Sequence, residues 1–293
     1  GSDNTAVGYS ALHANTSGGE CVAVGRDALQ SNTTGSRSTA VGYRALQDAT
    51  TAIRNTAVGY NALTNCTTGG YNSIVGYKAM NTNTTGGSNT ACGTHALQFA
   101  TTADENTAVG YNALQDNTTG HSNVAVGSQT MREQTTAHYN TAVGKQAMQN
   151  TSTGGENTAI GSVCMISNTT GSQNVAVGRE AMNDSTTGSG NVALGKSALA
   201  NNTTGGSNVA VGRNALLTST YRNSCVAVGE GALQAMTDGY SNVACGGYSL
   251  TACTTGYQNT ALGEHAGRYI TDGDYNTCIG RYGGAGITSG NNN

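Results

Sequence analysis

The chain has 293 residues, among them 43 Gly, no Pro, no Trp and a single Phe, and only 10% of it is charged. A net charge of −3 without any basic run argues against nucleic-acid binding, and no stretch approaches the eighteen apolar residues that would span a bilayer. Hydrophobic content is 36%, much of it Ala, which is too little bulk for an ordinary globular core but enough for a narrow stacked coil.

One phrase organises everything. Residues 106–122 read Asn-Thr-Ala-Val-Gly-Tyr-Asn-Ala-Leu-Gln-Asp-Asn-Thr-Thr-Gly-His-Ser, and variants of this phrase begin at Asn4, Cys21, Ser38, Asn55 and so on to Asn276. Seventeen copies of seventeen residues fill positions 4–292 with no insertion or deletion. A fixed period near twenty is the signature of a solenoid or fibre. Gly1, Ser2 and Asp3 match the end of a preceding copy and Asn293 the start of a following one. The array is thus expected to be an excerpt of a longer one, or to have ends that stack.

Within the repeat, seventeen columns can be read in order. The first is mostly Asn, suited to an amide ladder along the axis. The second is Thr, Val or Ser and the fourth is Val, Ile, Leu or Cys, both β-prone and on one face of a strand. That face, represented by Val109, is assigned to the interior. The third column is Ala in most copies, Ala108 for example, and lies on the opposite face. The fifth is Gly in every copy, Gly110 among them, which marks positive φ or close backbone approach. The eighth is mostly Ala and the ninth is Leu or Met up to Leu250, with Leu114 typical. Because third and fourth, and eighth and ninth, are neighbours under restriction, two buried surfaces are predicted: the coil's own core and a neighbouring chain along the Ala face. The thirteenth column is Thr except for Ser152, as in Thr118, and with the following Thr-Gly reads as a short strand closed by a turn.

The remaining columns vary and hold most of the Tyr and charged residues, so they form the solvated corners. Tyr60, Tyr77 and Tyr111 share the sixth column and are the candidate surface-binding residues. Gly267 and Gly284 replace the ninth-column Leu, which makes 259–293 a degenerate C-terminal stretch of an otherwise single array over 1–293. Gly, Thr and Asn disfavour helix. The prediction is an all-β parallel β-solenoid, 17 coils of 17 residues, with strands about 4.8 Å apart.

The phrases Ser-Asn-Val-Ala-Val-Gly (122–127 and 207–212) and Asn-Thr-Ala-Ile-Gly (157–161) resemble the head repeat of YadA-like trimeric autotransporter adhesins. Arrays of Asn-Thr-Ala-Val-Gly-Tyr-Asn-Ala-Leu are also similar to those of phage tail-fibre proteins. The resemblance covers the whole chain, although the adhesin repeat is shorter. It implies a left-handed β-roll, three chains side by side, and an attachment role on a cell or virion surface. It would place Val124 and Val126 inward.

Chemistry is sparse. His121 and His138 share the sixteenth column in consecutive copies, and Asp272-Gly273-Asp274 lacks the flanking pattern of a calcium loop. Solvated corners explain both, so no metal, cofactor or catalytic residue is assigned. The eight Cys are read as small residues swapped into columns, not as a disulfide framework. Asn-Thr-Thr at Asn32, Asn83, Asn117, Asn168 and Asn202 matches the glycosylation sequon, although a turn accounts for it. The functional expectation is a non-enzymatic, extracellular structural fibre or adhesin shaft, with copies of itself and a host or cell-surface glycan or protein as partners, and no nucleic acid. End-to-end assembly is a further mode of self-association. An ice-binding solenoid, using the thirteenth and fourteenth columns, and a self-assembling filament subunit are the alternatives.

Overall fold

The structure is a computed structural model and describes residues 1–221 and 223–293. The chain divides into two compact units, Gly1–Gln146 and Ala147–Asn293. Each unit is a parallel β-solenoid with one coil per seventeen residues, and no helix occurs among the described residues. Nine three-residue strands belong to the first unit and eight to the second. Each strand covers columns two to four, as in Thr107–Val109 and Val192–Leu194. The register never slips: Thr107 pairs with Val124, Ala108 with Ala125 and Val109 with Val126. Among the described residues the rest of each coil is turn, bend or irregular, and the expected strand at Thr-Thr-Gly does not occur.

The strand faces the other way from the expectation. Ala108 is 0% exposed, whereas Val109 is 36% exposed and Thr107 is half-buried. Val124 and Val126 are likewise half-buried around a buried Ala125. The physical reason is the width of the coil. The ninth-column Leu114 fills the interior opposite the strand, which leaves room for one methyl per layer and not for two branched side chains. Where Ile74 takes the Ala place, the ninth column is the adaptable Met80. The Ala column is therefore core, and it is not the contact with a neighbouring chain.

Ala113 and Leu114 are adjacent and both fully buried. Strict alternation of sides belongs to extended residues, and this pair lies in a turn where Leu114 has φ +51°. The left-handed conformation recurs in the seventh, ninth and seventeenth columns, for instance at Asn112, Leu114 and Ser122. It costs an L-residue roughly 1–2 kcal/mol. Burial of a Leu side chain returns about 1.5–3 kcal/mol, so the ninth-column corner is offset by the residue that occupies it. Gly110 sits at φ +138°, and a Cβ there would lie 2.6 Å from the carbonyl carbon of Gly127 in the next coil. Both conditions exclude any side chain.

Two side-chain ladders run along the interior. Asn89 Oδ1 accepts the backbone N–H of Asn106 at 2.9 Å and its Nδ2 at 3.2 Å, while Asn106 Nδ2 also donates across the coil to the Gly120 carbonyl at 2.9 Å. Thr118 donates through both its backbone N–H (2.9 Å) and its Oγ1 (3.0 Å) to the Thr135 carbonyl. Each layer thereby satisfies many of the buried polar groups of the next, while Asn32, Asn117, Asn168 and Asn202 each keep a buried Oδ1 without a hydrogen-bond partner. At the C-terminal end, the strand Thr277–Ile279 is still present. The space left by Gly267 is taken by Ile270 and Leu250, whose methyls lie 3.2 and 2.9 Å from where a Cβ would be.

Ala108→Glu should lower stability by more than about 3 kcal/mol, because it buries an uncompensated charge. Val109→Lys should shift the stability of the single chain by no more than about 0.5 kcal/mol, as surface substitutions do. Thermal melts of the two variants distinguish the observed facing of the strand from the reverse.

Candidate binding surface

Repetition by seventeen places corner residues of one column directly above one another. In the first unit the sixth column becomes a continuous stack. The Arg26 guanidinium lies 5.6 Å from the Tyr9 ring and 5.9 Å from the Tyr43 ring. Tyr43 stacks on Tyr60 at 5.0 Å and Tyr60 on Tyr77 at 5.4 Å, each pair inclined by 16°. The next sixth-column residue is Thr94, and the stack detours through His95 of the seventh column, 5.5 Å from Tyr77 and 6.5 Å from Tyr111. Tyr60, Tyr77 and Tyr111 are 46%, 44% and 51% exposed.

The three predicted tyrosines are thus brought onto one line, but their presentation differs from isolated rings. Neighbours cover the faces of Tyr60, so the stack offers ring edges and hydroxyls to solvent. Offset stacking is favoured by the ring quadrupole and stiffens the row. Cations flank it, with Arg44 over Tyr43 at 5.0 Å and Lys78 over Tyr77 at 5.4 Å. Asp27, buried beneath, is 3.4 Å from Arg26 and 3.9 Å from Arg44. Sequence reasoning missed Arg26 and His95 as members. The signal was available in the column alignment, because a planar cation or imidazole in or beside the column substitutes for a ring.

In the second unit the same column is ionic. Arg213 pairs with Glu230, and the Tyr248 hydroxyl donates to Glu230 Oε1 at 2.6 Å. The hydrogen bonds from Tyr248 and then Arg213 hold the Glu230 carboxyl below the usual range, and the same contact with Glu230 raises the Tyr248 phenol. The C-terminal tyrosines form two separate stacks: Tyr248–His265–Tyr282 at 5.6 and 4.9 Å, and Tyr240–Tyr257 at 5.2 Å.

The other candidate groups are accounted for locally. His121 and His138 stack at 3.9 Å, and His138 Nδ1 accepts the His121 backbone N–H at 3.1 Å. Burial, with His121 beside it, lowers the His138 pKa. No cluster of three metal-ligating side chains occurs among the described residues. Asp274 Oδ1 accepts the Tyr257 backbone N–H at 3.0 Å, and Asp272 Oδ1 accepts the Thr271 hydroxyl at 3.1 Å. The sequon asparagines Asn32, Asn83, Asn117, Asn168 and Asn202 are all fully buried. Asn117 Nδ2 donates to the Gly120 carbonyl at 2.9 Å, so the nitrogen that a glycan would need faces inward. No helix among the described residues is long and apolar enough to cross a membrane.

No family model and no curated protein matches this chain.

The cysteines give a pH signature. Burial raises the thiols of Cys66 and Cys253 to about 11 and that of Cys164 to about 12, from 9.0. A thiol held neutral in the fold contributes stability that is complete below its unfolded pKa and is lost as pH rises through the folded value. The melting temperature should therefore fall between pH 9 and 11, and fall less in the Cys66→Ala/Cys164→Ala/Cys253→Ala chain. Parallel pH dependence of the two chains would show that other groups dominate.

Proposed function

We propose that the chain is a non-catalytic attachment or spacer element of a fibre on a virion or cell surface, and that it works in association with copies of itself. The observation that supports this most is the separation of a constant interior from corners that change along the array. Columns one, three, eight, nine, twelve and fifteen are buried in nearly every coil, while the sixth and seventh pass from aromatic to ionic. Such a scaffold tolerates surface change without loss of fold, and it repeats weak contacts many times. The tyrosine row is the proposed contact with a glycan or protein: ring edges supply apolar area and the hydroxyls supply hydrogen bonds.

The outward strand face is the proposed contact between copies. It carries exposed Val75, Val109 and Val143 in the first unit and Ile160, Leu194 and Leu262 in the second. With about 4.8 Å between strands and about 3.3 Å per residue, each unit offers roughly 400 Å² of such face. A standard interface buries about 800 Å² per partner, so the face of each unit supplies about half of one. The likeness to trimeric adhesins leads us to expect three chains. Extracellular placement belongs to the same reading.

A regular Thr row supports the ice-binding alternative. Thr34, Thr51, Thr68, Thr85, Thr102 and Thr119 of the fourteenth column are exposed in successive coils. The thirteenth-column hydroxyls are turned to carbonyls, as at Thr118, so the row is a single one. Strong thermal hysteresis in freezing solutions would favour this alternative over attachment.

Replacing Tyr60, Tyr77 and Tyr111 together by Ser should leave circular dichroism unchanged and weaken adhesion of particles that display the chain. Undiminished adhesion would move the binding role to another corner. Val75→Lys/Val109→Lys should reduce the mass seen by light scattering from three chains to one without loss of β signal. An unchanged mass would remove the strand face as the interface.

A further inference from the structure

A second corner of the first unit holds a cleft that the tyrosine row does not use. It is lined by Glu20, Ser36, Arg37, Ile53 and Arg54 and encloses about 180 Å³. Sites for drug-sized ligands run to roughly 300–1,000 Å³, so this one has room for a single small ring. Glu20, Arg37, Arg54 and Tyr71 occupy the seventeenth column in four consecutive coils, all in the left-handed conformation with φ between +55° and +62°.

The charges are unbalanced. Glu20 Oε2 takes Arg37 Nε at 3.2 Å. Arg54 donates from Nη1 to the Tyr71 hydroxyl at 2.5 Å and lies 5.2 Å over its ring. No carboxylate pairs with Arg54 among the described residues. Two guanidinium groups one coil apart thus share one carboxylate, and their planar donors suit a second. The other lining groups, Ile53 and Ser36, and Tyr71 beside Arg54, are those a sugar needs. Ile53, 38% exposed, is an apolar floor for the C–H face of a pyranose. The Ser36 hydroxyl accepts from the Gly19 backbone N–H at 3.2 Å and makes only a long contact, 3.4 Å, to the Thr34 carbonyl. The Tyr71 oxygen accepts from Arg54, which leaves its own proton to donate.

We infer that this cleft binds one carboxylated sugar ring, a hexuronate, with its carboxylate across Arg37 and Arg54. The sugar assignment rests on the attachment reading; the anion site rests on the geometry alone. Glu20 competes for Arg37 and sets the affinity in the weak range suited to repeated contacts.

Isothermal titration of the purified chain with galacturonate, galactose and acetate tests this. Galacturonate should bind at millimolar concentration, more weakly as salt is added, and at least tenfold more tightly than either galactose or acetate. Arg54→Gln should weaken it at least tenfold, and Arg54→Lys less, since an ammonium keeps the charge and loses the fork. Glu20→Gln should tighten it severalfold, an effect that loss of structure would not produce. All three side chains are exposed, so unchanged melting curves are expected. Absence of galacturonate binding, an unaffected Arg54→Gln, or galactose binding as tightly as galacturonate would overturn the site. Acetate binding as tightly as galacturonate would overturn the sugar assignment. Failure here leaves attachment through the tyrosine row to be judged by the particle-adhesion assay.

Discussion

Each coil has to lie on the next under a shift of seventeen residues, and every other feature of the molecule follows from that constraint. The backbone meets it with hydrogen bonds that point along the array in both directions. Around Leu114, the N–H groups of Thr107, Leu114, Asp116 and Thr118 donate to the following coil. Those of Gly110, Asn112 and Ser122 donate to the preceding one. The three that point backward all have positive φ. Positive φ accompanies each backward donor, although it does not by itself set the direction, since Leu114, at φ +51°, donates forward. A single inserted residue would break every bond downstream in its coil, which is the physical reason for a repeat without insertions.

The same shift decides which residues meet. Many surface partners are seventeen positions apart, as in Tyr43–Tyr60, Glu20–Arg37 and Gln30–Gln47, the last at 2.8 Å, and others are neighbours in sequence, as in Arg179–Glu180. Stacking of like residues is favourable for aromatic rings and for amides, which can donate and accept, but not for like charges. In the sixth column Arg213 accordingly meets Glu230 and Glu264 meets Arg281, while Arg179, Lys196 and Arg213 follow one another with the same sign. Arg37 above Arg54 is an exception to that pairing logic, and that is what gives the cleft its character.

The period, the strand, the Gly column and the Asn and Thr ladders were legible in the sequence because each is a property of one column read down the array. The facing of the strand was not. Columns two and four look like core by residue type, and only the width of the closed coil shows that Ala108 and Leu114 already fill the interior. The left-handed corners were hidden for a related reason: Leu, Met and Arg carry no local signal for positive φ, unlike Gly110. The tyrosine row was half legible. Its column was evident, but His95 enters from the seventh column, and a single-column reading cannot see a diagonal contact. The compensation of Gly267 by Ile270 likewise joins two columns through space.

The outward faces divide by how much they vary. The strand face stays Thr, Val or Ser beside Val, Ile, Leu or Cys through both units, although solvent exposure alone would let it drift as the corners do. A surface that stays constant along an array suits a partner that is constant, and another copy of the same chain meets that requirement at every layer in register. The corners change from aromatic to ionic within one chain, which suits partners that differ from place to place or contacts made at only a few layers. On this argument the proposed self-association and attachment would use different faces of one coil. Neither constrains the other, because the Ala, Leu and Asn columns that separate them are common to every layer.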